Sequence, residues 1–424
     1  RMHKVRSVSW SEYLSRSNAS PSVKKTLNAC HNRLLLSGID EESSLGNADL
    51  FSWTTRSSFV KVENNLYQTS KGCKNKAPRL IQGAQPEFIC LVGPWIMALQ
   101  DLLKRRWIPG RSNKVFTSGL SSEVVAGFIT GKTGAILEDD LGKFDSSIDV
   151  EWCKYEVWLV SRFGAPRAVI SLMLANILTH GKTLHGWSYR CRGTRKSGDP
   201  YTSLMNSIIN ALSHEYLYCF FTNKTVDESS VSLRMVVQGD DNALTHKELV
   251  EFDWRDNMKK LGFDSEAIYR KSFYDVEFCS NRLYLLPSGW VFSPKPGKVL
   301  AKLGYIINPP ANVTRESLIR GVATGLKKLC NHLPPVRAVA DRLLFLTQGA
   351  TAYYPRNFEE HVIKTAQIYD TCSEVMFSLN RHYDWDFGKQ EELERNLQCM
   401  NLGDSYTSLV TLLLDKDSSG PQNL

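Results

Sequence analysis

The stretch Val231-Ser-Leu-Arg-Met-Val-Val-Gln-Gly-Asp-Asp-Asn-Ala-Leu-Thr-His246 decides the reading of this chain. Its first half is apolar and β-branched. Gly239-Asp240-Asp241 stands at its centre, and Asn242 to His246 form a second short run. Strand, tight turn, strand is the pattern of a hairpin, here with acids at its tip. An isolated Asp-Asp pair is most often a turn or a helix cap. The flanking Val and Met residues and the glycine at the bend make this pair a candidate metal mount instead.

A second group of acids lies about 100 residues upstream. Ala135-Ile-Leu137 runs into Glu138-Asp139-Asp140, which reads as a buried strand delivering acids at its C-terminal end. Asp145 follows five residues after Asp140. If the chain turns there into a helix, Asp145 sits above the first acid on the substrate side; the plainer reading is a cap for a helix starting near Ser146. Glu138 and Asp139 leave open which carboxylate leads, and the spacing of five to Asp145 favours Asp140. Carboxylates on two adjacent strands form a rigid mount for hard divalent cations, and Mg²⁺ needs few of them because it keeps waters and takes substrate phosphates. A third element is Ser197-Gly198-Asp-Pro-Tyr-Thr202-Ser-Leu-Met-Asn206. The Ser-Gly loop permits unusual backbone angles beside a ligand. Thr202 and Asn206 share one face of an otherwise apolar helix, a polar stripe that wants a partner.

The chain has 424 residues, 42% hydrophobic and 23% charged, which excludes wholesale disorder and fibrous repeats. Phe88 to Leu99, the longest strongly apolar stretch, is interrupted by Pro94 and is shorter than the ~20 residues of a membrane span. The start at Arg1 and the lack of a signal-peptide pattern lead us to expect a fragment of a longer product. Ten cysteines without CxxC pairs fit free thiols in a reducing compartment, and Cys330-Asn-His332 is too tightly spaced for a usual zinc finger. Residues 1–132 hold 19 Lys and Arg against 9 Asp and Glu, while the rest is near neutral. That basic front points to a polyanion partner or, with equal weight on charge alone, to a solvated surface.

The expected elements are these. Ser20 caps a helix to Leu36 with Pro21 at its first position, and Pro86 to Trp107 is an apolar helix. Residues 150–180 read as helical, Arg192 to Gly198 as a loop and Thr202 to Phe221 as a long apolar helix. Val231 to Gln238 reads as a strand and Val250 to Leu261 as amphipathic. Arg282 to Ser293 is a hairpin turning at Pro287-Ser288-Gly289. From about 305 onward the pattern is mainly helical, and the last ten residues read as a frayed polar tail.

Taken together, Asp140-x4-Asp145, Ser197-Gly198-x3-Thr202-x3-Asn206 and Gly239-Asp240-Asp241 resemble motifs A, B and C of the RNA-dependent RNA polymerases of positive-strand RNA viruses. Phe59-Val-Lys61-Val-Glu63 and Lys74-Asn-Lys76-Ala-Pro78-Arg79-Leu-Ile-Gln82 look like motif F of the tombusvirus- and nodavirus-like groups. Phe278-Cys279-Ser280 looks like the motif E turn, and Lys295-Pro-Gly-Lys298 like a basic loop near the priming strand. The resemblance covers roughly residues 59–305.

The resemblance implies an α+β right-hand polymerase. Fingers fall at 1–132, a palm with an antiparallel sheet and motifs A to E at 133–304 (part of 155–192 assignable to fingers), and a helical thumb with a polar tail at 305–424. The implied activity is RNA-directed RNA synthesis from NTPs. Asp140, Asp240 and Asp241 would hold two Mg²⁺ ions, which Mn²⁺ can replace. Asp145, Asn206 and Thr202 would meet the NTP ribose, since a 2′-hydroxyl is both donor and acceptor. Ser197 and Gly198 would position template and NTP. Lys61, Lys76 and Arg79 would neutralise the triphosphate, with plain RNA-backbone electrostatics as the alternative. Cys279, Ser280 and Lys298 would lie by the priming strand. Lys259, Lys260, Arg270 and Lys271 are open candidates for proton donor to pyrophosphate. RNA template and product, NTPs and other viral replication proteins are the implied partners. The implied place is the host cytoplasm, at membrane-associated replication complexes, with no transmembrane segment in this chain. A reverse transcriptase is disfavoured because the positions where it carries aromatics read Asp145 and Gly239. A non-catalytic RNA-binding replication scaffold is disfavoured because no metal acid is missing.

Overall fold

The computed structural model describes residues 4–61, 79–132, 134–248, 252–303, 310–354, 367–404 and 408–418. They form two compact units. The first is built from the described residues before 62, from 79 to 120 and from 131 to 271; the second from 121–130 and from 272 onward.

In the first unit, α1 (Trp10–Arg16), α2 (Pro21–Leu36), α3 (Asn47–Thr54) and α4 (Pro86–Arg106) surround one apolar core. Helix α2 begins as its sequence requires: Ser20 accepts a hydrogen bond from Val23 N, and Pro21 fills a position whose N–H would be unused. Helix α4 is long and apolar enough to cross a membrane by length and composition. Its Phe88, Leu91, Val92, Trp95, Ile96 and Leu99 are nonetheless buried in this core beside Leu27 and Leu34 of α2, as in a core helix of a globular unit.

Strands β1 (Arg56–Val60) and β2 (Leu80–Gly83) pair antiparallel. A six-stranded sheet follows from β3 (Lys114–Phe116), β4 (Ala135–Gly142), β7 (Leu233–Gln238), β8 (Asp241–His246), β9 (Asp264–Ser265) and β10 (Ile268–Arg270). Its order is β10-β4-β8-β7-β3, with β9 on the end of β4. The β4, β8 and β7 pairings are antiparallel, and β3 runs parallel to β7. Leu137 and Leu141 of β4, Met235 and Val237 of β7 and Leu244 of β8 face a second core.

Residues 150–180 are not one helical run. They form α7 (Val150–Arg162) and α8 (Arg167–Ala175), after the short α6 (Phe144–Ser147). Gly164, at φ +81°, and Pro166 break the run, and β5 (Leu178–Thr183) then pairs with β6 (Ser188–Arg192). These complete a sheet in the order β2-β1-β5-β6. Helix α9 (Thr202–Thr222) is apolar nearly all round because it serves both cores. Val231 does not lie in a strand. It belongs to α10 (Val226–Ser232), started by a capping box in which Thr225 and Glu228 exchange hydrogen bonds. That local signal outweighs the β propensity of Val226 and Val231. In the 250–261 stretch the helix α11 covers only Trp254–Lys260, capped by Asp253.

The second unit holds α5 (Ser122–Thr130) and a three-stranded sheet, β11 (Glu277–Phe278), β12 (Asn281–Leu286) and β13 (Gly289–Pro294). Helices α12 (Pro296–Ala301), α13 (Arg315–Leu329), α14 (Pro334–Leu346), α15 (Ser373–Tyr383), α16 (Phe387–Cys399) and α17 (Ser408–Ser418) follow. The β12–β13 hairpin turns at Pro287-Ser288, as expected. The expected frayed tail is partly wrong. Asp417 in α17 is buried, accepts from the Tyr383 hydroxyl at 2.6 Å and caps α12 through Lys298 N at 3.0 Å. The nine described cysteines are free. His332 is buried 2.7 Å from Ser293 Oγ, and burial lowers its pKa to about 4.

The loop before α9 is anchored by buried charge. Arg56 and Asp199 are both fully buried and pair at 2.7 Å, and Arg56 also donates to Asn176 Oδ1 at 2.8 Å. Removing one partner leaves the other charge buried and unpaired. Arg56→Leu is therefore expected to lower unfolding free energy in urea by about 3–5 kcal/mol; an unchanged midpoint would mean the pair carries no net load.

Candidate active site

The hairpin and the upstream strand meet. In the β4–β8 register Asp140 stands opposite Asp241 and Asp139 opposite Asn242. Gly239 and Asp240 form the two-residue loop between β7 and β8. Gly239 has φ +68° and Asp240 does not have positive φ, the requirement of a II′ hairpin turn with glycine first. Three aspartates from two segments thus share one end of the sheet.

Alternation along β4 settles the direction of the three consecutive acids. Asp139 turns inward and is 2% exposed; it accepts from Ser265 Oγ at 2.8 Å and from His214 Nε2 at 2.9 Å. Glu138 pairs with Arg270 at 2.7 Å. Asp140 is exposed at the sheet end. Desolvation, then the charges of Asp241 and Asp240, push its carboxyl up to about 6 from 3.8. Glu266 adds to that effect, and its N–H donates to Asp140 O at 3.0 Å. Burial disfavours the charged carboxylate, and the neighbouring negative charges act in the same direction. Among the described residues no three His, Cys, Asp or Glu side chains form a ready cation cage. The donor set still suits Mg²⁺ or Mn²⁺, since it is all oxygen and such ions complete their shell with waters and substrate phosphates. Asp140, Asp240 and Asp241 are the side chains at this sheet end that could hold such ions.

Helix α9 holds the turn from below. Asn210 Nδ2 donates to the carbonyls of Gly239 and Asp240 at 3.1 and 2.7 Å, and Gly239 N donates to Ser207 Oγ at 2.8 Å. Asn242 donates to Asn210 Oδ1 at 3.0 Å. Ser207, Asn210 and His214 were missed at the sequence level, although Asn206, Asn210 and His214 continue the Thr202 stripe at every fourth residue.

The expected sugar pair is also in contact. Lys143, in the left-handed region at φ 52°, turns the chain from β4 into α6, which carries Asp145. Asn206 Nδ2 donates to Asp145 Oδ1 at 2.8 Å. Arg195 Nε donates to Asn206 Oδ1 at 2.8 Å, which fixes the orientation of the amide, and the Arg195 fork is held on buried Glu156. Burial raises the Asp145 pKa, with Asn206 and Arg195 pulling it partly back. Arg195 and Glu156 left no legible sign in the sequence because α8 and the β5–β6 hairpin separate the loop that carries Arg195 from the helix α7 that carries Glu156.

Ser197 is exposed and Gly198 forms a bridge to Gly83 of β2. A Cβ on Gly198 would fall 2.3 Å from Gln82 O, so the close approach demands glycine. Thr202 Oγ1 donates to Lys196 O at 2.7 Å and so staples the loop to α9. Lys61 N donates to Arg79 O at 2.8 Å, which places these two cations side by side across the β1–β2 pair. Lys76 lies outside the described residues. Lys259 and Lys260 end α11. Cys279 and Ser280 belong to the second unit, where both have positive φ (50° and 60°) in the β11–β12 turn, and Lys298 lies in α12.

The family described as viral RNA-dependent RNA polymerase matches residues 118–331. An RNA-directed RNA polymerase of Oat chlorotic stunt virus (isolate United Kingdom) is 26% identical over 299 residues, which is 65% of this chain and 38% of that protein. The genome polyprotein of Human hepatitis A virus genotype IIIB (isolate HAJ85-1) is 26% identical over 127 residues, 30% of this chain and 6% of the polyprotein. The chain thus spans well under half the length of these relatives.

Gly198→Ala is expected to cost about 1–3 kcal/mol in urea unfolding, because backbone must shift to admit the methyl. Gly83→Ala, whose new Cβ would lie 3.3 Å from Ser57 O, should cost less; the reverse order would contradict the close approach.

Proposed function

This chain belongs to the viral RNA-dependent RNA polymerase family, and from that premise we propose that it copies an RNA template by nucleotidyl transfer from ribonucleoside triphosphates. The observation that carries the reading is the register that sets Asp140 opposite Asp241, beside the Gly239-Asp240 turn. Asp140, Asp240 and Asp241 would hold two Mg²⁺ ions, or Mn²⁺ in their place. Such ions supply activation of the attacking 3′-hydroxyl and charge neutralisation on the leaving pyrophosphate.

The chain's own groups do the rest. Asp145 keeps an acceptor and Asn206 a donor for a ribose 2′-hydroxyl, and a deoxyribose would leave both unpaired. Arg195 and Glu156 hold that pair in place. The Ser197-Gly198 loop positions template and nucleotide, and Thr202 fixes the loop. Lys61 and Arg79 meet the triphosphate, with Lys76 assigned the same role on sequence alone. Cys279, Ser280 and Lys298 contact the priming strand. The layout is that of a right hand, with fingers at 1–132, palm at 133–304 and thumb at 305–424. RNA, NTPs and other viral replication proteins are its partners, at membrane-associated complexes in the host cytoplasm.

Asp240→Ala tests the reading. It should abolish template-directed NMP incorporation while RNA retention on a filter persists; full incorporation would overturn the site. A second test uses pH. Asp140 ionises near 3.8 in a model compound and near 6 in the fold, so the folded state binds the extra proton between these values. In EDTA this group's contribution to stability therefore falls as pH rises from about 4 to about 6 and is flat above. Mn²⁺ affinity, read by titration calorimetry, should weaken by about tenfold per pH unit below about 6. Asp140→Asn should remove the stability trend, and its persistence would assign the trend to another group.

A further inference from the structure

A basic cleft of about 630 Å³ lies in the first unit, lined by none of Asp140, Asp240 and Asp241. The extended segment before α1 forms one wall. Val5 N donates to Phe163 O at 2.8 Å, and Trp95 Nε1 donates to Val5 O at 3.3 Å. With Val5 turned inward, Lys4 and Arg6 are exposed. The last turn of α4 and the loop after it form the other wall, with Arg105, Arg106 and Arg111.

Among the described residues none of these five cations makes an ion pair; Arg111 donates only to the Arg105 carbonyl, at 3.3 Å. The cleft also contains Glu12 and Asp101, but both are already taken by Arg16. Its Nη1 donates to Glu12 at 2.8 Å and its guanidinium forks onto both Asp101 oxygens at 2.6 and 2.8 Å. Arg16 thus engages both local acids and offsets one of their two charges, and the five remaining cations still face one concavity in clear excess. Like charges gathered this way repel unless an anion joins them.

Topology separates the cleft from the catalytic end. Gly83, three residues before α4, touches Gly198, and α4 then runs about 30 Å to Arg105 and Arg106. Arg111 precedes β3, which pairs with β7 from Met235 toward Val237, so Arg111 lies beyond the sheet end opposite the Gly239-Asp240 turn.

We propose that this cleft binds a clustered-phosphate group, a triphosphate carried by a free nucleotide or by the 5′ end of an RNA. Four of the five cations are arginines, whose planar forks match phosphate oxygens. The volume suits a compact ligand rather than a long strand. The apolar lining residues Val5, Val8 and Leu102 are half-buried, so nothing at the rim would embed in a membrane. The inference stands on the cleft and does not require the polymerase reading.

The test is fluorescence anisotropy on the full chain in EDTA, with one short labelled RNA bearing either a 5′-triphosphate or a 5′-hydroxyl. The triphosphate form should bind about tenfold tighter, the worth of one charge-assisted hydrogen bond. Arg6→Gln with Arg106→Gln should erase that preference and leave 5′-hydroxyl binding and primer extension unchanged. Lys4→Gln with Arg111→Gln should do the same independently, should the first pair fold poorly. Displacement by GTP would name the free nucleotide as the source, and displacement by the RNA end alone would name the RNA. Equal affinity for the two ends overturns the proposal. So do equal losses for both RNAs, or binding restricted to phosphatidylinositol-phosphate vesicles.

Discussion

One pairing bears most of the structure's purpose: β4 against β8, with Asp140 facing Asp241. Antiparallel neighbours put like charges within a few ångströms, which destabilises the sheet end. Desolvation first, and the charges of Asp241 and Asp240 second, raise the Asp140 pKa. That penalty is offset by everything beneath. Leu137, Met235, Val237 and Leu244 are fully buried against one core, and in the same register Asp139 bonds His214 while Asn242 bonds Asn210, so a one-residue slip would break those buried hydrogen bonds. The acids are held at a cost by a sheet that has no cheaper register.

The second constraint is polar and runs along α9. Ser207 and Asn210 bind the backbone of the turn rather than its side chains, so they fix where the carboxylates start without consuming them. His214 binds Asp139, which removes the one acid that points the wrong way. Arg195 orients Asn206 and Asn206 orients Asp145. Arg56 with Asp199 and Lys196 with three carbonyls freeze the loop before α9. Buried charge contributes little net stability when replaced whole by apolar packing, but it specifies one arrangement sharply once present. The loop that would handle nucleotide is therefore rigid at its base and exposed only at Ser197.

Local chemistry explains which parts were legible in the sequence. The hairpin at Gly239-Asp240, the Ser20 cap and the long runs of α4 and α9 announce themselves by turn residues, caps and periodicity. The break at Gly164 and Pro166 carries its own signal in a glycine and a proline two residues apart. The Thr225–Glu228 capping box was equally visible, and it prevails over the β propensity of Val226 and Val231. Asp139–His214 and Glu156–Arg195 were not legible, since they join residues 75 and 39 positions apart and depend on how α9 packs on β4 and α7 on the loop before α9. Asp417 hides in a polar tail because its partners, Tyr383 and the start of α12, come from elsewhere in the chain. Family resemblance named Asp145 and Asn206; only coordinates reveal what holds them.

The basic front shows how little a charge count says about direction. Its cations do not form one face. Lys61 and Arg79 sit across the β1–β2 pair, while Arg105 and Arg106 end α4 about 30 Å on from its start. Arg16 and Arg33 are spent on Asp101 and Glu87, and Arg56 is buried on Asp199. An excess of positive charge in the first third of the chain is thus divided among structural pairing, the β1–β2 pair and a separate cleft. Any salt dependence of RNA binding would sum over the last two, and substitutions confined to one set of cations separate them.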